Sequence, residues 1–175
     1  MYSLFSIYNF KLNYPVNWRV KLSENASLLD GNVVFFDPEG KASICVTWGE
    51  LEKAKEKYSS AKDHAQGSLS KMVNEKTTYK TIKVIAQDSI QVNNHKAYLN
   101  HIELSILKFG LIPLFPKSVL HSLISIFIHC EESQRFFVII GDSHPNDYKD
   151  LEEKLHYALK SFNCHLPIET IEVLK

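Results

Sequence analysis

The sequence predicts an α+β fold, an α/β/α sandwich with a central antiparallel sheet of about six to eight strands and two main helices. Three observations predict it. Apolar and polar residues alternate in a series of short segments, the signature of half-buried strands. Tight turns join most of these segments, and tight turns make strand pairs antiparallel. Two longer stretches repeat at steps of three and four, the spacing of amphipathic helices. At 175 residues the chain has the length of one domain, able to build a core without metal or disulfide support. We therefore expect a single domain over residues 1–175, with its core at about residues 8–164.

Phe10, Leu12 and Tyr14 alternate with Lys11 and Asn13 in a first strand, which Pro15 ends because proline has no donor for the ladder. Trp18, Val20 and Leu22 alternate in a second. The run Val33 to Phe36 forms a third, stopped by the turn Asp37-Pro38-Glu39-Gly40, and Ala42, Ile44, Val46 and Trp48 form a fourth. The period then changes. Leu51, Ala54, Tyr58, Ala61, Ala65, Leu69 and Met72 make one stripe of a helix near residues 50–74. Its Gly67 predicts a weak point or a kink, because glycine costs about 1 kcal/mol relative to alanine there.

Strands resume over Ile82 to Ala86 and Ile90 to Val92. Asn93-Asn94 suits the positive φ of a two-residue hairpin turn, and the returning strand runs from His95 to about Leu107. His121 to Cys130 and Arg135 to Gly141 make a further hairpin through Glu131-Glu132-Ser133-Gln134. Its second strand, Phe136 to Ile140, is apolar enough to be buried on both faces. A last helix follows Ser143-His144-Pro145-Asn146, with Tyr148, Leu151, Leu155, Ala158, Leu159 and Phe162 as its buried stripe. Asp147, Asp150, Glu152 and Glu153 complement the dipole at its start.

The run from Phe10 to Val20, with Tyr14-Pro15 and Trp18 at its centre, resembles the opening of PsbP-like proteins. The rest follows in order: the Phe35-Phe36-Asp37-Pro38 turn, a strand before a long helix, and a hairpin through Val92-Asn93-Asn94-His95-Lys96-Ala97-Tyr98. Paired strands and a helix closing on Ser161-Phe162 complete the match. The resemblance covers roughly residues 8–164. It implies the sandwich fold shared by the extrinsic P subunit of photosystem II and a Ran-binding nuclear import factor, and a role in binding or assembling proteins rather than in catalysis. Asn93-Asn94 stands where the family often has glycine. No export signal is visible, so a photosystem role is not expected. No partner-binding residue of the relatives is carried over.

Charge and motif chemistry exclude several classes of function. Lysine plus arginine equals aspartate plus glutamate at 20 each, which removes the basic footprint of a nucleic-acid binder. The longest uninterrupted apolar stretch, Ser118 to Cys130, is too short to span a bilayer. Cys45, Cys130 and Cys164 are far apart with no Cys-x-x-Cys pair, which reads as reduced thiols in a cytoplasmic protein. Cys164, beside His165, is the best candidate for a reactive thiol. His95, His101 and Glu103 share one face of a strand but lack any preformed ligand spacing, so neither a metal nor a cofactor is expected. Without a nucleophile elbow or a Gly-rich phosphate loop, no catalytic residue is assigned and the chain reads as non-enzymatic.

One segment stands out. Between Lys108 and Lys117, two prolines and a glycine exclude regular structure, yet Phe109, Leu111, Ile112, Leu114 and Phe115 are large and apolar. Each forfeits roughly 1.5–3 kcal/mol if left in water. Such a loop folds back on the core, packs against a protein partner or a second copy, or makes peripheral membrane contact. The reading is a non-enzymatic protein-binding or assembly module that uses this loop. The alternative is a small-ligand or lipid carrier with a pocket between helix and sheet lined by Trp48, Tyr58 and Tyr98.

Overall fold

The structure is a computed structural model that describes residues 1–75, 79–108 and 117–165. In chain order it contains β1 (Tyr2–Ile7), β2 (Phe10–Pro15), β3 (Arg19–Leu22), β4 (Gly31–Phe36), β5 (Ala42–Glu50), α1 (Leu51–Lys55) and α2 (Ala61–Asn74). β6 (Tyr79–Val92), β7 (His95–Lys108), β8 (Lys117–Cys130), β9 (Arg135–Ser143), a short 3-10 turn (Pro145–Asp147) and α3 (Tyr148–Ser161) follow. Seven strands form one sheet in the order β3-β4-β5-β9-β8-β7-β6. Every neighbouring pair in it is antiparallel, as the hairpin-rich sequence predicts.

The sheet carries a different layer on each face. Alternation along β9 sends Phe137 and Ile139 to one side and Val138 to the other. On the first side they meet Leu151, Leu155 and Ala158 of α3 together with Phe10 and Leu12 of β2. On the second, Tyr98, Phe127 and Val138 enclose Ala65 of α2. The expected burial of β9 on both faces is therefore met. Among the described residues, no helix is long and apolar enough to cross a membrane.

Three details depart from the sequence reading. β2 does not join the main sheet. It pairs with β1, a strand the alternation pattern does not reveal because Leu4 and Phe5 are adjacent apolar residues. Tyr8 and Asn9, at φ 49° and 59°, make the tight turn between them, and the hairpin packs flat on the sheet through Phe5–Phe35 and Phe10–Trp48 ring contacts at 5.2 and 5.0 Å. The predicted long helix is broken, but not at Gly67. Ser60 ends the gap between α1 and α2 by accepting the Asp63 N–H at 3.1 Å, while the Asp63 carboxylate accepts the Ser59 N–H at 2.9 Å. Gly67 stays helical, and its missing Cβ leaves room for the Tyr58 ring, which a Cβ would meet at 2.4 Å. Finally, the two predicted short strands are one continuous strand, β6, with a register shift inside the first of them, between Val84 and Ala86.

β7 and β8 outrun their neighbour β9. The β8–β9 register ends at Ser122↔Ser143, whereas β7 and β8 remain paired as far as Lys108↔Lys117. Beyond Ser122 the arm has lost its β9 partner in the ladder, although His121 at its base still meets the Asp142 carboxylate at 2.8 Å.

On the α2 face, the His64 ring stacks on Tyr58 with centroids 4.5 Å apart and sits 3.4 Å from His129, Nδ1 to Nε2. Burial, and secondarily the neighbouring His129, pushes the His64 pKa down to about 4. The unfolded chain takes up this proton near pH 6.5 and the folded chain only near pH 4. The contribution of a neutral His64 to stability is thus complete above pH 6.5 and is lost progressively as pH falls towards 4. Thermal melts across this range should show a falling Tm, and His64→Phe should flatten part of that fall; an unchanged slope in the variant would refute the assignment.

Candidate functional site

Two hairpin turns, Asn93-Asn94 and Glu131 to Gln134, lie at the same end of the sheet. The chain leaving α3 crosses that end. Asn93 adopts φ 51° in the first turn, and its side-chain amide donates to the Phe162 carbonyl. The crossing segment is fixed by a two-way backbone bridge, Lys11 N–H to Asn163 O at 2.9 Å and Asn163 N–H to Lys11 O at 2.8 Å. Continuing the β7–β8 register two places past Ala97↔Ile128 sets His95 opposite Cys130. The segment after α3 then lays Cys164 and His165 over that pair.

Four donor atoms converge as a result. Cys164 Sγ lies 2.9 Å from Cys130 Sγ, 3.0 Å from His95 Nε2 and 3.3 Å from His165 Nδ1. Cys130 Sγ lies 3.5 Å from His165 Nδ1. All four donors fall within 4.8 Å of one another, and both cysteines are fully buried. The Cys164 S–H donates to Cys130 and, joined by the Ser133 N–H and His165, pulls the Cys130 thiol pKa down against the opposing effect of burial. Cys164, which keeps the shared proton beside a negative sulfur and is itself buried, is pushed up. On the outer side of His95, Nδ1 lies 3.7 Å from the Glu132 carboxylate. A cavity of about 420 Å³ bordered by Lys11, His95 and His165 opens onto the corner. The arrangement offers two adjoining cysteine sulfurs with two imidazoles, a set suited to redox chemistry or to metal ligation.

Sequence reading separates these cysteines because they are 34 residues apart; the structure corrects that, bringing Cys130 and Cys164 into contact. Only Cys45 remains apart, its thiol beside Thr47 at 3.8 Å. The strand face of His95, His101 and Glu103 is real but does not act as one group. His101 stacks on Tyr148 at 4.5 Å and bonds Ser122 Oγ at 2.9 Å, and Glu103 faces Lys83. The adjacency of Cys164 and His165 was the one local signal of the cluster.

The proposed aromatic pocket is not assembled. Trp48 lies in the α3-side core and donates from Nε1 to the Ser27 carbonyl at 2.9 Å. Tyr98 lies across the sheet on the α2 side, and Tyr58 is folded onto His64 and Gly67. Strand parity puts Trp48 and Tyr98 on opposite faces, so the three cannot line one pocket. A groove between helix and sheet exists elsewhere, about 700 Å³ between α3 and β6–β8, bordered by Leu99, Ile124, Leu155 and Leu159 with His101 and Glu152. Phe109, Leu111, Ile112, Leu114 and Phe115 lie outside the described residues.

The corner rests on Arg135, which is 3% exposed. Its Nη1 donates to the carbonyls of Tyr8 at 2.7 Å and Leu28 at 3.2 Å, and its Nη2 to those of Asn9 at 3.4 Å and Cys164 at 3.0 Å. The guanidinium also lies 5.0 Å from the Phe137 ring centroid.

Comparison with known proteins gives a consistent result. The PsbP family matches residues 4–164. No curated protein matches the chain. The solution structure of cyanobacterial PsbP (CyanoP) from Synechocystis sp. PCC 6803 superposes with a TM-score of 0.65 at 12% identity, covering 93% of this chain and 91% of that one. The Ran-binding protein Mog1p of Saccharomyces cerevisiae gives 0.58 at 11% identity over 94% and 95%. LpqN of Mycobacterium tuberculosis, involved in cell envelope biogenesis, gives 0.52 at 11% identity over 93% and 90%.

Identities this low speak for the fold alone, so the Arg135 anchor has to be tested in this chain. Arg135→Met keeps the apolar stem but leaves four carbonyls without a charged donor. Urea unfolding should show a loss of about 3 kcal/mol or more, and Arg135→Lys should recover only part of it, since a single ammonium cannot reach all four acceptors. A loss below about 1 kcal/mol for Arg135→Met would remove Arg135 from this role.

Proposed function

The chain belongs to the PsbP family, and on that footing we propose that it is a non-catalytic protein-binding or assembly module whose contact lies at the free end of the β7–β8 arm. The observation that carries the reading is the overrun of β7 and β8 past β9. The residues joining these two strands are the ones that include Phe109, Leu111, Ile112, Leu114 and Phe115. Leu120, on the arm itself, is 51% exposed. Mog1p, a Ran-binding protein of the same architecture, supports the use of this fold for protein recognition. The composition of this connecting sequence, five large apolar residues with Lys108 and Lys117 at its ends, suits the core-and-rim make-up of protein interfaces. The partner is a second protein or a second copy, and the working compartment is the cytoplasm, where thiols stay reduced.

One observation favours a second reading, a small-ligand or lipid carrier: the groove of about 700 Å³ beneath α3 has a size suited to a small apolar ligand. Native mass spectrometry of freshly purified protein separates the two, because a carrier retains the mass of a small organic or lipid molecule and a docking module does not.

The direct test replaces Phe109 and Phe115 together with serine. Partner capture from the native host, or dimer formation seen by light scattering, should be lost, with the urea midpoint unchanged. A lowered midpoint instead would place the segment in the core and defeat the reading.

A further inference from the structure

We infer that His95, Cys130, Cys164 and His165 form a tetrahedral binding site for a zinc ion, independent of the protein-docking role. Two thiolates and two imidazoles are the donor set that structural zinc takes, and together the two thiolates cancel its charge within a buried corner. Zinc–sulfur bonds of about 2.3 Å and zinc–nitrogen bonds of about 2.0–2.1 Å place tetrahedral donors about 3.3–3.8 Å apart. Four of the six separations are 2.9, 3.0, 3.3 and 3.5 Å and need to change by less than about 1 Å to admit the ion, and the other two lie within 4.8 Å.

The surroundings fit a built site. Each ligand sits on a restrained backbone: His95 directly after a tight turn, Cys130 at the last position of β8, and Cys164 and His165 on the segment clamped by the Lys11–Asn163 bridge and by Arg135. The orientation of His95 is the informative one. Its Nε2 lies 3.0 Å from Cys164 Sγ while its Nδ1 is turned to the Glu132 carboxylate at 3.7 Å, a carboxylate that also lies 3.5 Å from Cys130 Sγ; a small closure would make Glu132 the outer partner that metal-bound histidines commonly have. The cavity bordering His95 and His165 supplies an entry path from solvent.

A disulfide between Cys130 and Cys164 is the competing fate of the two sulfurs. It leaves both imidazoles and the carboxylate behind His95 without a part to play, and it needs an oxidant.

The test uses the full chain, reduced and stripped with chelator, then titrated with zinc chloride. One equivalent should bind and raise Tm. Cobalt(II) in its place should give thiolate charge-transfer absorption and the intense visible bands of tetrahedral cobalt, a signature that reports sulfur ligation directly. Cys164→Ser and His165→Gln should each abolish that spectrum, Glu132→Gln should weaken zinc binding about 10–100-fold with the spectrum retained, and Cys45→Ser should behave as wild type. Should Cys164→Ser fail to fold, wild type and His165→Gln still decide the matter, since His165 borders the cavity and lies at the end of the clamped segment. The inference is overturned if the reduced chain takes up no zinc, if cobalt gives only the weak bands of octahedral oxygen ligation, or if His165→Gln leaves affinity unchanged. Isolation of a Cys130–Cys164 disulfide whose reduction restores no zinc uptake would also overturn it.

Discussion

A buried positive charge must be surrounded, and this molecule is arranged around one. Arg135 begins β9, the central strand of the sheet, and its guanidinium is closed off by carbonyls from the β1–β2 turn, the β3–β4 loop and the segment beyond α3. None of these pieces is a neighbour of β9 in the ladder. Each brings carbonyls that regular structure leaves unsatisfied, and the guanidinium has enough donors to serve them all at once. The β3–β4 loop is held further by Trp48 Nε1 on Ser27 O and by the Tyr8 hydroxyl on Ala26 O at 2.8 Å. The N-terminal hairpin and the C-terminal crossing therefore share one anchor, and the four-donor corner lies directly against it.

Periodicity carries the fold because the sheet has two buried faces and two distinct helical layers. Val46, Trp48, Phe137 and Ile139 announce their strands by alternation, and α3 announces itself by Leu151, Leu155 and Ala158. What alternation does not reveal is partnership. β2 reads like any other half-buried strand, yet it serves a separate hairpin, because nothing in Phe10, Leu12 and Tyr14 distinguishes a strand within a sheet from one laid upon it. The helix break is a local matter that Ser59, Ser60 and Asp63 did record; Gly67 misled because its role is to receive the Tyr58 ring.

The site was less legible than the fold for a related reason. Motif spacing detects ligands that share one turn or one helix, whereas His95, Cys130 and Cys164 are joined only through strand register and a helix that returns the chain to its starting corner. The aromatic pocket failed through parity. Tyr98 and Trp48 each point to a buried side, but sequence gives the alternation of faces within a strand without saying which face two strands have in common.

The bulge in β6 has a bearing on how the molecule meets others of its kind. β6 is the outer margin of the sheet and, at 14 residues, far longer than the opposite margin β3, with 4. A flat border of that length invites a foreign strand to add on through its bare amides and carbonyls. The irregularity at Val84–Ala86, with Lys83 beside it, interrupts that template midway. Such a break disfavours continuous backbone pairing along the open flank, as bulges do on exposed edge strands generally.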